Sequence, residues 1–279
     1  MADRSRQRQI LEAHLTLRSA ALVVAVLTTV AWLIPPLTSW THHHEFAEAL
    51  QFAFFAVLIP ALVVVGSPWQ LLGLASRAPQ RLDDDGNPLS PVESPGPIDR
   101  LAQGRRRHSE SLRTLSFFGL YLAAAIVWRT PLAVNALARH PWLVVVEAAT
   151  LLVAGVGLWL ELVESPPLAP RLPRPSRIAL AAVSMWTIWV LAYLVGLSNA
   201  SWYHAYPHHP GSGLSLSADQ QLSTGLLWFV SGCAFVPVVY WNLIRWLQSE
   251  EDPDEELHHL VRQERIRGRT LGTDQPTEI

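Results

Sequence analysis

The sequence predicts an all-α fold: a polytopic membrane helix bundle with six transmembrane helices and both termini cytoplasmic. Three observations predict it: six long apolar runs, arginines that alternate between successive connections, and histidines gathered on the connections the arginines avoid. A spanning helix needs about 20 mostly apolar residues to cross roughly 30 Å of hydrocarbon. Residues 17–40, 47–66, 115–137, 142–163, 178–197 and 222–247 meet that requirement. Lipid offers no partner to a bare backbone group, and unbroken apolar runs fit helices rather than the alternating strands of a barrel.

The first run follows Arg4, Arg6 and Arg8 and contains Arg18. It is too long for a signal peptide, and the stretch from Pro35 to Trp40 has no small-x-small cleavage pattern, so a retained helix is expected after a cytoplasmic tail over 1–16. The connection over 41–46 has no arginine but carries His42, His43 and His44. Beyond the second run, the 67–114 connection holds seven arginines: Arg77, Arg81, Arg100, Arg105, Arg106, Arg107 and Arg113. Its 75–112 portion, dense in proline, glycine and charge, reads as a flexible cytoplasmic loop. Spans three and four meet at a tight turn carrying Arg139 and His140. The 164–177 connection returns to arginine with Arg171, Arg174 and Arg177, whereas 198–221 has none and carries His204, His208 and His209. The last run closes on Arg245, and the tail over 249–279 turns from acidic to basic, with a short helix expected over 254–268.

All 21 basic residues are arginine, and 19 fall on one side of this topology, while seven of the 11 histidines fall on the other. Arginine-rich connections stay in the cytoplasm, which sets the orientation of the membrane domain over 17–248. Trp40, Trp142 and Trp202 mark the outer edge, and Trp69, Trp159 and Trp246 the inner one. The basic 100–113 segment, tethered to the inner leaflet, is expected to meet membrane lipid headgroups and no nucleic acid.

The single cysteine, Cys233, excludes an intramolecular disulfide and any CxxC metal or redox motif. Imidazole suits copper and zinc, so His42, His43, His44, His204, His208 and His209 are the candidate metal ligands, with Glu45 and Glu48 close in sequence. The alternative is that these rings sit at headgroup level as ordinary half-polar side chains. Within the membrane, Glu147 lies below the outer end of span four, where a carboxyl faces a partner or a wet cavity. Arg129 in span three is its candidate ion-pair partner, and Gln51 and Asn135 extend the polar patch. Glu161 and Glu164 end span four, with Arg171 or solvent to satisfy them.

From Asp219 onward the chain is similar to a known family. Asp219-Gln220-Gln221-Leu222, then Gly225-Leu226-Leu227-Trp228, with a span closing on Arg245-Trp246-Leu247 and an acidic tail, resembles the CtaG family of bacterial cytochrome c oxidase assembly factors. Gln51, Pro60 and Gly66-Ser67-Pro68, together with Trp128, Pro131, Glu147 and Trp159, match further family positions, and the resemblance covers roughly residues 40–250. Several family ligand positions are changed: Phe52, Arg129 and Ala148 stand where the family has histidine, and Leu227 where it has methionine.

The resemblance implies a non-enzymatic protein of the bacterial inner membrane that assists oxidase assembly, with copper as the metal, oxidase subunits as partners and an outer-side copper donor. Asp219, Gln220, Gln221, Gln51, Glu147 and Trp228 are its family-matched residues. The alternatives are a metal-free scaffold or accessory subunit of a respiratory complex, and a small-cation permease. The permease reading lacks both an inverted repeat and polar residues through the midplane.

Overall fold

The computed structural model describes residues 2–74, 96–100, 102, 110–168, 170, 172–197, 203, 206 and 215–250. Most of the expected loop over 75–112 and nearly all of the tail over 249–279 lie outside these residues. Among the described residues all regular structure is helical. Five helical segments among the described residues are each long and apolar enough to cross a membrane, and a bent pair passes the same test only when its two helices are counted together, giving five to six candidate crossings of a multi-pass membrane protein.

The first expected span is divided. Helix α1 (Ala2–Leu33) runs through the apolar stretch and stops at Ile34-Pro35-Pro36, after which α2 (Leu37–Thr41) makes a separate short turn. Proline lacks the amide that would continue the ladder and forces the preceding residue out of helical geometry. Helix α1 also begins at Ala2, so the residues expected as a tail are continuous with the span.

The second span is central. Helix α3 (Glu45–Ala53) passes into a π-helical turn, Phe54–Leu58, and then into α4 (Ile59–Gly66), with α5 (Pro68–Leu71) beyond a left-handed Ser67. Residues of this span are 61% buried, against 11% for the first. Pro60 accounts for the wide turn, because it withdraws the amide that the Ala56 carbonyl would otherwise bond. The widened turn presses on the fourth span, α8 (Leu143–Leu162), at Gly155. A methyl group added there would meet the Pro60 ring at 2.6 Å and the Ala56 carbonyl oxygen at 3.0 Å.

The third span is bent. Helix α6 (Glu110–Trp128) and α7 (Pro131–Arg139) form a pair broken by 64°. Thr130, extended because Pro131 follows it, caps α7 by accepting from the Ala133 amide at 3.3 Å. The straight span expected over 115–137 is thus two pieces, with Arg129 at the break.

Helix α9 (Arg174–Gly196) packs along α10 (Leu216–Glu250), which in turn lies against α3; α1 packs on α4, and α6 on α8. The core joins Phe52, Phe55 and Ile59 to Leu151, Leu158, Tyr121 and Phe235. Trp159 stacks on Phe235, and Trp228 on Trp189, whose indole N–H donates to the Ser231 hydroxyl at 3.0 Å. At the end where α1 begins, Arg113 pairs with Glu161 through two nitrogens at 3.0 and 3.2 Å, a role expected of Arg171 or solvent. Trp69 and Gln70 both donate to the Pro166 carbonyl at 2.8 Å, clamping α5 to the connection after α8.

Gly155→Ala is expected to lower the thermal stability of the detergent-solubilised protein by the roughly 1–3 kcal/mol typical of overpacking. Gly225→Ala, whose added methyl meets nothing within 4 Å, is expected to leave it unchanged or slightly raised.

Candidate functional site

The end of the bundle opposite the arginine-bearing connections gathers most of the buried polar groups. Four side chains there satisfy backbone groups at helix ends. The first turn of a helix leaves amides without intrahelical partners, and the last turn leaves carbonyls so. His44, the residue preceding α3, offers no side-chain cap. Asp219 of α10 supplies one from outside, accepting from the Glu45 amide at 3.0 Å and the Phe46 amide at 2.9 Å. Gln220 donates to the Val195 carbonyl in the last turn of α9, and Thr224 to the Ala192 carbonyl one turn earlier at 3.3 Å. Gln51 donates to the Trp32 carbonyl at the end of α1 at 2.9 Å. Three of the polar residues singled out in the sequence therefore hold helices together.

Beneath these locks lie buried charges. Arg129 forms an ion pair with Glu48, Nη1 to Oε2 at 2.5 Å, with both side chains almost fully enclosed. The guanidinium also stands 5.4 Å from the ring centres of Phe52 and of Tyr203, an arrangement that favours a cation. The Tyr203 hydroxyl donates to the Arg129 carbonyl at 3.2 Å, closing the break between α6 and α7. Burial pushes the Tyr203 phenol up to about 12, so it stays a donor.

The expected partner of Arg129 was Glu147; the structure gives that place to Glu48. Both carboxyls approach the same depth from different helices, and spacing along the chain cannot choose between them. Glu147 is 1% exposed and sits within electrostatic reach of both Glu48 and Arg129. Among the described residues neither of its carboxyl oxygens has a hydrogen-bond partner, nor do Glu48 Oε1, Glu45 Oε1 and Arg129 Nη2. Three acidic side chains thus share one guanidinium in a low-dielectric site.

The histidines are less gathered. His43 is exposed, with Nδ1 2.6 Å from the Ser39 carbonyl oxygen; His42 and His44 are partly covered, and His44 lies against Phe46. Burial lowers the His42 imidazole below its usual range, and the neighbouring His43 lowers it further. No group of three His, Cys, Asp or Glu side chains is arranged to hold a metal among the described residues. His204, His208 and His209 lie outside the described residues. Their connection is seen at Tyr203 and Tyr206, which pack with Val134 and Val195. Gln221 faces outward, and Trp228 serves the aromatic stack rather than the polar cluster.

The locks made by Asp219, Gln220 and Gln51 fall on the positions that resemble the CtaG family, and the family model for cytochrome c oxidase caa3 assembly factors (Caa3_CtaG) matches residues 1–249. The chain belongs to that family. No curated protein and no solved structure matches it. Within this CtaG-family protein, Glu48 was expected beside the histidines, not as the partner of Arg129, and the contact of Tyr203 with Arg129 was not expected at all. The available signal was helical periodicity: Glu48, Gln51 and Phe52 share one face of α3, and all three turn inward.

Arg129→Leu is expected to cost roughly 3–5 kcal/mol, the usual penalty for stranding a buried charge. Adding Glu48→Leu should recover only part of it, because Glu147 and Glu45 also face Arg129; full recovery in denaturant unfolding would confine the role of Arg129 to Glu48.

His42 provides a pH test. Its folded value lies below the ordinary 6.5, so between those values the unfolded chain binds more protons. Its stabilising effect is complete above about 6.5 and is lost as pH falls through the window. Melting temperature should therefore drop less between pH 7.5 and 5.5 in His42→Gln than in the parent.

Proposed function

We propose that this CtaG-family protein assists cytochrome c oxidase assembly from within the bacterial cell membrane. Both termini lie in the cytoplasm and the histidine-bearing end faces outward. The arginine asymmetry supports that orientation. Copper is handled as cargo, taken up by the imidazoles of His42, His43, His44, His204, His208 and His209 from an outer-side donor. Oxidase subunits dock laterally against the bundle, and the role is non-catalytic.

One observation carries the copper reading. Tyr203 rests on Arg129, and the ion-pair partner of Arg129, Glu48, lies one helical turn beyond His44. The connection that bears the second histidine group is thus attached beside the segment that bears the first. Asp219 adds to this by fixing the start of α3 directly after His44.

A second reading, a metal-free scaffold or accessory subunit, has its own support. The family-matched side chains Asp219, Gln220 and Gln51 are spent on helix ends, and the described donors form no three-ligand group. The permease reading gains nothing, since the described charged residues lie toward the two ends and Phe55, Leu151 and Leu158 fill the core between.

The test is complementation of a host lacking the gene, reading oxidase activity and haem spectra with and without added copper. A variant with all six histidines changed to Gln is expected to lose activity that excess copper restores. Copper binding by the purified parent is expected to weaken as pH falls through about 6.5. Full activity of the six-histidine variant would overturn copper handling, and a loss that copper cannot restore would favour the scaffold.

A further inference from the structure

The arginine end of the bundle holds a cleft that none of the oxidase-assembly argument uses. Its volume is about 760 Å³, inside the roughly 300–1,000 Å³ range of small-molecule sites. Its walls are apolar, formed by Leu58, Ala61 and Val65 of the central span, Trp159 of α8, and Ala234 and Val238 of α10. Among the described residues its rim is cationic: Arg174, Arg177 and Arg245 line it with a single acidic side chain, Glu164.

The three arginines are not equivalent. Arg177 is committed to the fold, donating from Nε to the Leu172 carbonyl at 2.8 Å and from Nη2 to the Pro170 carbonyl at 3.1 Å. It also lies 3.7 Å from Glu164, which is largely exposed. Arg174 places Nη1 on the Arg245 carbonyl at 3.0 Å, and Arg245 lies 4.9 Å above the Trp241 ring. The first contact joins the start of α9 to the end of α10, the second, within α10, holds the Arg245 side chain against its own helix, and two guanidiniums thus line an apolar slot. A second groove, between α1, α4 and α8, is lined by aliphatic side chains and Thr29 and, among the described residues, has no charged rim. The contrast is informative: acyl chains alone need no arginine, whereas the first cleft pairs an apolar wall with a surplus of positive charge at the level of the span ends.

We propose that this cleft binds a phosphate-bearing anionic membrane lipid, its headgroup on Arg174 and Arg245 and one acyl chain along the walls formed by the central span, α8 and α10. The charge complementarity selects the headgroup, and the depth of apolar wall selects a lipid over free phosphate. A lipid so held would tie α9 and α10 to the central span at the end opposite the Arg129 cluster. The exposed thiol of Cys233, the only cysteine in the chain, lines the cleft and reports on its occupancy.

The experiment uses the full chain, delipidated in detergent and then offered equal amounts of phosphatidylglycerol and phosphatidylcholine with matched chains. Retention is read by native mass spectrometry, and the rate of Cys233 alkylation is read in parallel. Phosphatidylglycerol should be retained over phosphatidylcholine by on the order of tenfold. It should also slow alkylation, and the preference should vanish in R174Q/R245Q but survive in R174K/R245K. Equal retention of the two lipids by the parent would overturn the proposal whether or not the variants fold. So would displacement by inorganic phosphate alone, or thiol crosslinking from Cys233 to a polypeptide, which would make the occupant a protein helix.

Discussion

The pairing of Arg129 with Glu48 holds the histidine-bearing end of the bundle together. It crosses from the break in the third span to the first turn of the central one, and almost everything polar at that end is arranged around it. The Arg129 carbonyl, set free by the break, is taken by Tyr203; its guanidinium is flanked by Phe52 and Tyr203. A buried ion pair of this kind adds little net stability over an apolar replacement, yet removing one partner is costly. Its effect is therefore mainly on arrangement: it sets which helices meet and at what register.

The locks at the helix ends extend the same logic. In hydrocarbon an unpaired backbone group costs several kcal/mol, so a bundle whose helices end below the headgroups must bring partners to those ends. Asp219, Gln220, Thr224 and Gln51 do so from neighbouring helices, and each bond joins two different spans. The residues that most resemble the CtaG family are thus accounted for by architecture. In the proposed copper reading, the ligands are the histidines beside them.

Much of this was legible in the sequence, and the failures have specific causes. Apolar run length located the spans, because one physical quantity, hydrocarbon thickness, governs it. Run length does not register a break whose flanks are both apolar, so the interruptions at Pro35-Pro36 and at Thr130-Pro131 were passed over although the prolines were in view. Glu147 was a sound choice of buried carboxyl but not of partner: choosing between Glu48 and Glu147 needs the rotation of α3 about its axis. The capping role of Asp219 was invisible because it joins positions 174 residues apart. Its neighbours in sequence carry no sign of the helix start it serves.

The bend in the third span has a consequence for the lipid around it. At 1.5 Å per residue, the 19 residues of α6, Glu110–Trp128, reach about 28 Å, close to the roughly 30 Å of an average hydrocarbon core. The segment that follows turns away by 64° and leaves Leu132 84% exposed along its flank. The bend therefore turns a large apolar side chain toward the surroundings of the bundle, where lipid tails or a neighbouring protein meet it.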